Sequence, residues 1–480
     1  MERVLTVAEM REAERYTESV LGLPESTLIE RAGAALADEI IKRFAGGRIL
    51  VCVGRGNNGK DGKTLAKILA SRHGFSVSVF NAETAFFKQF EKKYDIIVDC
   101  LFGTGLNREV TGRYKTAIDK INESGAFVIS CDIPSGINGD SGKVMGAAVK
   151  ADLTIAIQEY KTGLFLGDGI EYSGETVARD IGISVWTENC AHKMTDKDVA
   201  MLFPERKRTS NKGDFGRVAV VGGSKSYSGS VILSKNALSA YKTGAGYSQI
   251  AVPECIFNGV MGLDPECVLT ALPDDGNSVK FDKDALLPIM RNDAIAFGMG
   301  MGVTQGVYDS LRFLLENYNG RLLIDADGLN ALAKFGKEPL KNKKCQAVLT
   351  PHIGEFCRLS GKEKEEVLNN PVELAKDFAA EYGVTLLLKN AVSVITDGKA
   401  VYLNVTGNCG MAKGGSGDVL SGLLAGMLLR KEDLGFTVAA GAYLFGKAGD
   451  IAAKMHGNTF TVTATDIISA MPCAVREIIS

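Results

Sequence analysis

Residues 407–426, GNCGMAKGGSGDVLSGLLAG, place five glycines, a serine and an aspartate immediately before a helical apolar pattern. A glycine turn that runs into a helix exposes backbone N–H groups to phosphate oxygens, and the absent side chains let the phosphate approach closely. Asp418 falls where that helix begins, placed to take a proton from a hydroxyl that attacks phosphorus. The chemistry implied is phosphoryl transfer onto an alcohol. Nearby stretches add groups to this site. The β-run RLLI leads into Asp325 and Asp327, TPHIGE carries His352 and Glu355 on a loop after another β-run, and GMGMG (298–302) is a further glycine turn. Met299, Met301 and Met411 read as packing or pocket lining. No GxxxxGKS/T, GxSxG or HExxH occurs, and His73, His192, His352 and His456 do not pair at metal-ligand spacing. P-loop, serine-hydrolase and zincin chemistry are thereby set aside.

The first half carries a second constellation. GRGNNGKDG (54–62) lies between a strand and a helix, the context of a phosphate- or dinucleotide-binding turn, but its spacing is not GxGxxG. Its polar residues Asn57, Asn58 and Asp61 suggest that more than a pyrophosphate is held. DIIVDCLFGTGLNR puts Asp99 at a strand end before a second glycine turn, Gly103 to Gly105, and VISCDIPSGING puts Asp132 and Ser135 at another, stiffened by Pro134. The C-terminal ends of parallel strands line one crevice. Asn58, Asp99 and Ser135 offer hard oxygen ligands with a single carboxylate, which suits a monovalent cation better than a divalent one. Asp132 is then free for proton transfer. Taken singly, such aspartates commonly cap helices; four polar residues at strand ends together point to a site.

These groups need a scaffold, and the apolar runs supply one. RILVCV (48–53), VSVF (77–80), DIIVDCLF (95–102), AFVISCDI (126–133) and ADLTIAI (151–157) alternate with helical patterns. Such alternation predicts a parallel sheet covered on both faces. Two helical patterns precede it, with capping-box spacing at Thr6 and Glu9. The polar stretch 187–215 reads as a linker around a short helix. A second α/β series then runs through 217–224, 247–253, 293–302, 321–330, 346–355, 384–396 and 400–404, closed by helices over DVLSGLLAGMLLRK and FTVAAGAYLFGKAGDIAAKM. No sequence repeat relates the halves. The fold class is α/β, with two three-layer domains at 1–205 and 206–480.

The 480 residues, 45% of them hydrophobic, suffice for two cores. With 55 basic and 57 acidic residues the net charge is −2, which gives no electrostatic reason to expect nucleic acid or anionic membrane as partners. The N-terminus lacks a signal-type apolar core, and no apolar run approaches membrane-spanning length. Ten scattered cysteines with no CxxC pair imply reduced thiols and a cytoplasmic location.

GSGD (415–418) resembles the closing turn of the ribokinase-like superfamily. GNxGMAxGGxGDVLxG, TPHxGE and KGDFGRVAVVGGS narrow the resemblance to the ADP- or ATP-dependent NAD(P)H-hydrate dehydratases. GxGNNGxDG, DCLFGTG and DIPSGING resemble the NAD(P)H-hydrate epimerase domain, which is Rossmann-like. Their order is that of the fused bifunctional repair enzymes, and the resemblance covers nearly the whole chain. It implies that Asn57, Asn58, Gly59, Lys60 and Asp61, with Gly103, Thr104, Gly105, Leu106, Asn107 and Arg108, hold the hydrate, that Asn58, Asp99 and Ser135 hold potassium, and that Asp132 contacts substrate as the acid/base. In the dehydratase half it implies a nucleotide site at Lys389, Asn390, Ala391, Val392 and Ser393 and at Asn408, Gly410, Met411, Ala412, Lys413, Gly414, Gly415, Ser416 and Gly417. Gly302, His352 and Asp418 would face the hydrate. Lys60 stands where the family usually has glycine, and Ile353 and Cys409 where it often has proline or a small residue. These departures bear on substrate preference and loop detail.

The resemblance further implies ADP or ATP with Mg2+, and a homo-oligomer of four or more copies. The reaction it implies is a dehydration assisted by phosphorylation: the C6 hydroxyl of hydrated NAD(P)H is phosphorylated and phosphate then leaves. Two alternatives stay open on the residues. One is a small-molecule kinase that releases a stable phosphorylated product; the other is a first half that only binds nucleotides or partners.

Overall fold

The computed structural model describes residues 1–187, 190–238, 243–262 and 266–480, which form two compact units, Glu2–His192 and Lys193–Ser480. The first is built on a six-stranded sheet, in the order Phe75–Asn81, Gly47–Val53, Ile96–Cys100, Phe127–Cys131, Leu153–Ile157, Glu175–Arg179, all neighbours parallel. Ile49, Val51 and Val53 pack on one face with Leu36 and Ile40 of the helix Glu25–Arg43, while Leu50 and Cys52 pack on the other with Ile118 and Ile121 of the helix Gly112–Asn122. Both faces are therefore apolar and covered, the condition under which an all-parallel sheet is stable. The strand Glu175–Arg179, exposed at Glu175 and half-buried beyond it, was not expected from the sequence. A short parallel pair, Glu2–Leu5 with Tyr160–Lys161, joins the N-terminus to the segment that follows the strand Leu153–Ile157. Thr6 then caps the helix Val7–Ser19: Glu9 N–H donates to Thr6 Oγ1 at 3.2 Å and Thr6 N–H donates to Glu9 Oε2 at 2.7 Å.

In the second unit the strand order is Val268–Leu272, Tyr247–Pro253, Arg217–Val221, Ala294–Phe297, Arg321–Ile324, Gln346–Leu349, Thr385–Leu388, all parallel, followed by the antiparallel Ser393–Thr396 and Val401–Asn404. The run 384–396 is thus two strands and a turn, not one continuous strand. Val218, Val220, Ala294, Ala296 and Leu323 pack against the helices Ser228–Leu238, Ser416–Met427, Leu434–His456 and Ala464–Ile479. Alternate residues Val221, Ile295, Phe297 and Ile324 are equally buried, so the opposite face is covered too.

The described residues add three particulars to the expected organisation. The boundary expected at 205 lies inside the second unit. The segment after 193 is not a free linker, because Val199 and Leu202 are fully buried in the second core and Asp196 accepts from Tyr443 Oη at 2.9 Å and from Lys447 Nζ at 2.7 Å. Residues 188–189 of the expected linker lie outside the described residues. The closing helices also number one more than the sequence suggested: Ala464–Ile479, with Pro472 inside it, is capped by a Thr463–Asp466 box.

Candidate active sites

In the first unit the glycine turn lies where the strand Gly47–Val53 gives way to the helix Asn57–Ala70. The helix sits tight on the strand's end: a Cβ on Gly59 would come within 2.1 Å of the Gly54 carbonyl oxygen. Above this turn opens a cavity of 720 Å³. Its walls include Asn57, Asn58, Asp61, all six residues Gly103 to Arg108, and Asp132, so most of the residues singled out from the sequence are gathered in one place. Of the residues expected to hold the hydrate, two are not on its wall. Lys60 turns its ammonium to Glu25 Oε1 at 2.9 Å, and Gly59 is buried beneath the turn.

Asp99 and Ser135 lie under the cavity floor, both fully buried. Burial pushes the Asp99 carboxyl above its usual range, against the pull of donors from Ser135, Leu101 and Ser130. Ser135 Oγ donates to Asp99 Oδ1 at 2.6 Å, and Ser135 N–H to Oδ2 at 2.8 Å. Asn58 Nδ2 donates to the carbonyls of Phe102 (2.7 Å) and Cys131 (3.2 Å), which fixes the orientation of the amide. Its Oδ1 is left buried with no partner.

Asp132 has a left-handed backbone, φ 67°, uncommon for a residue other than glycine and often a mark of functional strain. Its carboxylate accepts from Ile157 N–H at 3.1 Å and is paired with the ammonium of Lys161, which also donates to Ile157 O at 2.6 Å. Lys161, Arg11 and Glu14 line the cavity and were not found from the sequence. Lys161 was discoverable, because it lies near a strand end, as Asp99 and Asp132 do. Arg11 and Glu14 carried no local signal, since a capped amphipathic helix reads the same with or without a site beside it. Burial, then the charge of Asp132, pushes Glu14 up to about 7; burial, then Asp132 and Glu14, pushes Asp61 up to about 8. The first site therefore holds a lysine-paired aspartate beside two carboxyls that keep protons near neutrality.

In the second unit Gly415 (φ 90°) turns the chain so that the helix Ser416–Met427 begins beneath Asp418. Asp418 is half-buried and is pushed up to about 6 by burial and by the charge of Asp325. Asp325, fully buried, holds two partners. Ser421 Oγ donates to its Oδ2 at 2.5 Å and Lys389 Nζ to its Oδ1 at 2.9 Å. Lys389 also lies 4.0 Å from Glu355. Burial works against the lysine's charge, but these two carboxylates outweigh it and raise its pKa. Lys389 N–H donates to Pro351 O at 2.8 Å, which brings the hairpin 389–392 beside His352. His352 caps the helix Ile353–Ser360, its Nδ1 accepting from Glu355 N–H at 3.2 Å, with the ring more than half exposed. Gly302 N–H donates to Asp327 Oδ2 at 2.7 Å, which anchors the GMGMG turn. Ala326, between the two aspartates, again has a positive φ of 48°.

Of the expected nucleotide residues, Lys389 has its ammonium committed to the carboxylates, Val392 is core, and Met411 packs against Gly449. Asn390 and Ala391 are exposed on the hairpin. Asn408 Oδ1 accepts from Gly410 N–H at 3.0 Å and Lys413 Nζ donates to Phe460 O at 2.5 Å and Val462 O at 2.6 Å, so these two side chains shape the loop itself. Ser416 Oγ, at the mouth of the glycine turn, is buried without a partner. Met299 and Met301 are fully buried, as read from the sequence.

Comparison with known proteins follows the same division. A family model described as NAD(P)H-hydrate dehydratase matches residues 218–473, and one described as YjeF-related protein N-terminus matches residues 25–89 and 79–163. The bifunctional NAD(P)H-hydrate repair enzymes Nnr of Thermofilum pendens and Moorella thermoacetica are 34% and 32% identical to this chain; each alignment covers 99% of this chain and 97% of the relative. The crystal structure of an ADP/ATP-dependent NAD(P)H-hydrate dehydratase from Bacillus subtilis, co-crystallised with ATP/Mg2+, superposes with a TM-score of 0.52 at 26% identity, over 61% of this chain and all of that one. On the strength of both matched halves in one continuous order, the chain belongs to the family of bifunctional NAD(P)H-hydrate repair enzymes.

Proposed function

We propose that the first unit interconverts the R and S epimers of NAD(P)H hydrate and that the second dehydrates the S form with ADP or ATP, Asp418 being the base. The observation that carries this reading is the setting of Asp418. It stands in the first turn of a helix behind a glycine turn, with its proton affinity moved toward neutrality. There it removes the proton of the C6 hydroxyl as the oxygen attacks the terminal phosphorus. The P–O bond to the nucleotide breaks. The C6–O bond then breaks with phosphate as leaving group, the ring nitrogen's lone pair assists, and loss of a C5 proton restores the double bond. The backbone N–H groups of Gly415 to Gly417 and the unpartnered Ser416 Oγ are supports for a phosphoryl group. Mg2+ with the nucleotide supplies charge neutralisation on the phosphates. Asp325 and Glu355 are drawn to Lys389, which supports a metal carried chiefly by the phosphates themselves.

In the first unit C6 bears both the hydroxyl and the ring nitrogen. Protonation of the hydroxyl by Glu14 or Asp61 releases water and leaves a ring cation that water re-enters from either face. Asp132, held by Lys161, accepts the proton that the re-entering water loses, and that proton returns to the carboxylate of Glu14 or Asp61 that gave the first, which restores the site. Asn58, Asp99 and Ser135 would hold potassium; Asn58 Nδ2 and Ser135 Oγ both lie within hydrogen-bond distance of Phe102 O, and the buried, unpartnered Asn58 Oδ1 fits an oxygen-liganded monovalent cation. Bound there, the cation supplies fixed positive charge beneath the glycine turn. The ten free cysteines support a cytoplasmic setting, and a homo-oligomer of four or more copies goes with the same reading.

The test is an assay on mixed hydrate epimers with ADP and ATP in parallel, following recovery of reduced-cofactor absorbance. Asp418→Ala should abolish recovery while epimerisation continues; full recovery would overturn the base assignment. Asp132→Ala should leave the S form consumed and strand the R form, whereas equal consumption of both would overturn the epimerase assignment.

A further inference from the structure

The 720 Å³ cavity of the first unit has two electrostatically separate ends. At one end Asp132 is paired with Lys161, and its charge adds to burial in raising Glu14 and Asp61. Glu83, also on the cavity wall, responds instead to Arg55 and Tyr114. The sheet explains the second group. Strands Gly47–Val53 and Phe75–Asn81 run in parallel with Val53 opposite Asn81, so Arg55 and Glu83 follow the C-terminal ends of adjacent strands at matching positions. Their side chains form an ion pair, Arg55 Nε to Glu83 Oε1, and Tyr114 Oη donates to the same oxygen at 3.4 Å. Phe102 packs on Tyr114 with ring centroids 4.5 Å apart, giving this end an aromatic wall. In parallel α/β folds that bind dinucleotides, an acid at the end of the strand beside the glycine turn accepts from a ribose 2′-hydroxyl, and an arginine nearby accommodates a 2′-phosphate. Here both residue types are present, but the arginine is committed to the acid.

We propose that Glu83 and Arg55 read the ribose 2′ position of the hydrate, Glu83 accepting from a 2′-hydroxyl and opposing a 2′-phosphate, so that the first unit favours NADH hydrate over NADPH hydrate. This rests on the epimerase reading of that unit. With the carboxylate in place, a 2′-phosphate meets a negative charge and an arginine already engaged. With the carboxylate removed, Arg55 is released to pair with the phosphate.

The experiment is kcat/KM for consumption of the R form of each hydrate, by wild type, Glu83→Gln and Glu83→Gln/Arg55→Gln, coupled to excess S-specific dehydratase. Wild type should favour NADH hydrate. Glu83→Gln should move the ratio toward NADPH hydrate by about tenfold, the worth of one charge-assisted hydrogen bond, mainly through KM. Adding Arg55→Gln should remove the gain for NADPH hydrate. A ratio unchanged by Glu83→Gln, or a wild type that favours NADPH hydrate, overturns the proposal while leaving the epimerase reading intact. A wild type that leaves the R forms of both hydrates unconsumed overturns the epimerase reading, and this proposal with it.

Discussion

Asp418 and Asp132 are both aspartates in a glycine-containing turn, yet their neighbours divide the work differently. Asp418 is half-buried near Asp325 and is pushed up to about 6, whereas Asp132 is held by the ammonium of Lys161. A base must be ionised to act, so dehydration should fall as pH drops through 6. Asp325→Asn removes the negative charge that adds to burial in raising Asp418 and frees Lys389 toward Asp418, so it should move the acid limb of the kcat/KM profile to lower pH; an unmoved limb would assign the shift to burial alone. Asp418→Asn should cost about 10²- to 10⁴-fold in rate, the span of general-base contributions. Lys161→Met should strand the R hydrate while S consumption continues, because Asp132 loses the partner that fixes its carboxylate. The aspartates were legible in the sequence because a glycine turn and a strand end are local patterns. Glu14 was not, because its helix is placed at the cavity by contacts between distant segments, the pairing of Glu2–Leu5 with Tyr160–Lys161 and the hydrogen bonds of Val7 to Asp140 and of Ser184 to Thr17.

At the scale of elements, the helix Ser416–Met427 that carries Asp418 is seated with little room to move. A Cβ on Gly422 would come within 1.9 Å of the Ser234 carbonyl oxygen on the neighbouring helix, and Ser421 pins the same turn to Asp325. Gly422→Ala should therefore destabilise the second unit by about 1–3 kcal/mol, the usual cost of overpacking, read as a lower melting temperature and a weakened nucleotide dependence. The strands around this helix were legible because a buried parallel sheet writes each strand as a continuous apolar run. The run 384–396 misled for the same reason: both hairpin strands are apolar, and only the exposed Asn390 and Ala391 mark the turn. The helix Ala464–Ile479 was missed although its Thr463–Asp466 box is a readable start, because Pro472 interrupts a pattern that tertiary packing of Ile467, Ile468 and Met471 nonetheless holds helical.

For the molecule as a whole, two units with separate cores let each site set its own response to pH. In the unfolded chain Glu14 and Asp61 would ionise near 4; folded, they do so at about 7 and about 8. Between those values the folded first unit holds more protons than the unfolded chain. Its stability should be greatest below about pH 4 on this account and decline as pH rises toward 8. Glu14→Gln should flatten that decline, raising the melting temperature at pH 8.5 more than at pH 5. The carboxyls kept protonated in the first cavity have a further consequence once a dinucleotide arrives. Its pyrophosphate brings negative charge and its body displaces water, and both make Glu14 and Asp61 harder to ionise. Ligand binding should therefore draw protons from solution. By calorimetry, the apparent heat would change with the ionisation enthalpy of the buffer, and the dissociation constant would rise as the medium is made more alkaline.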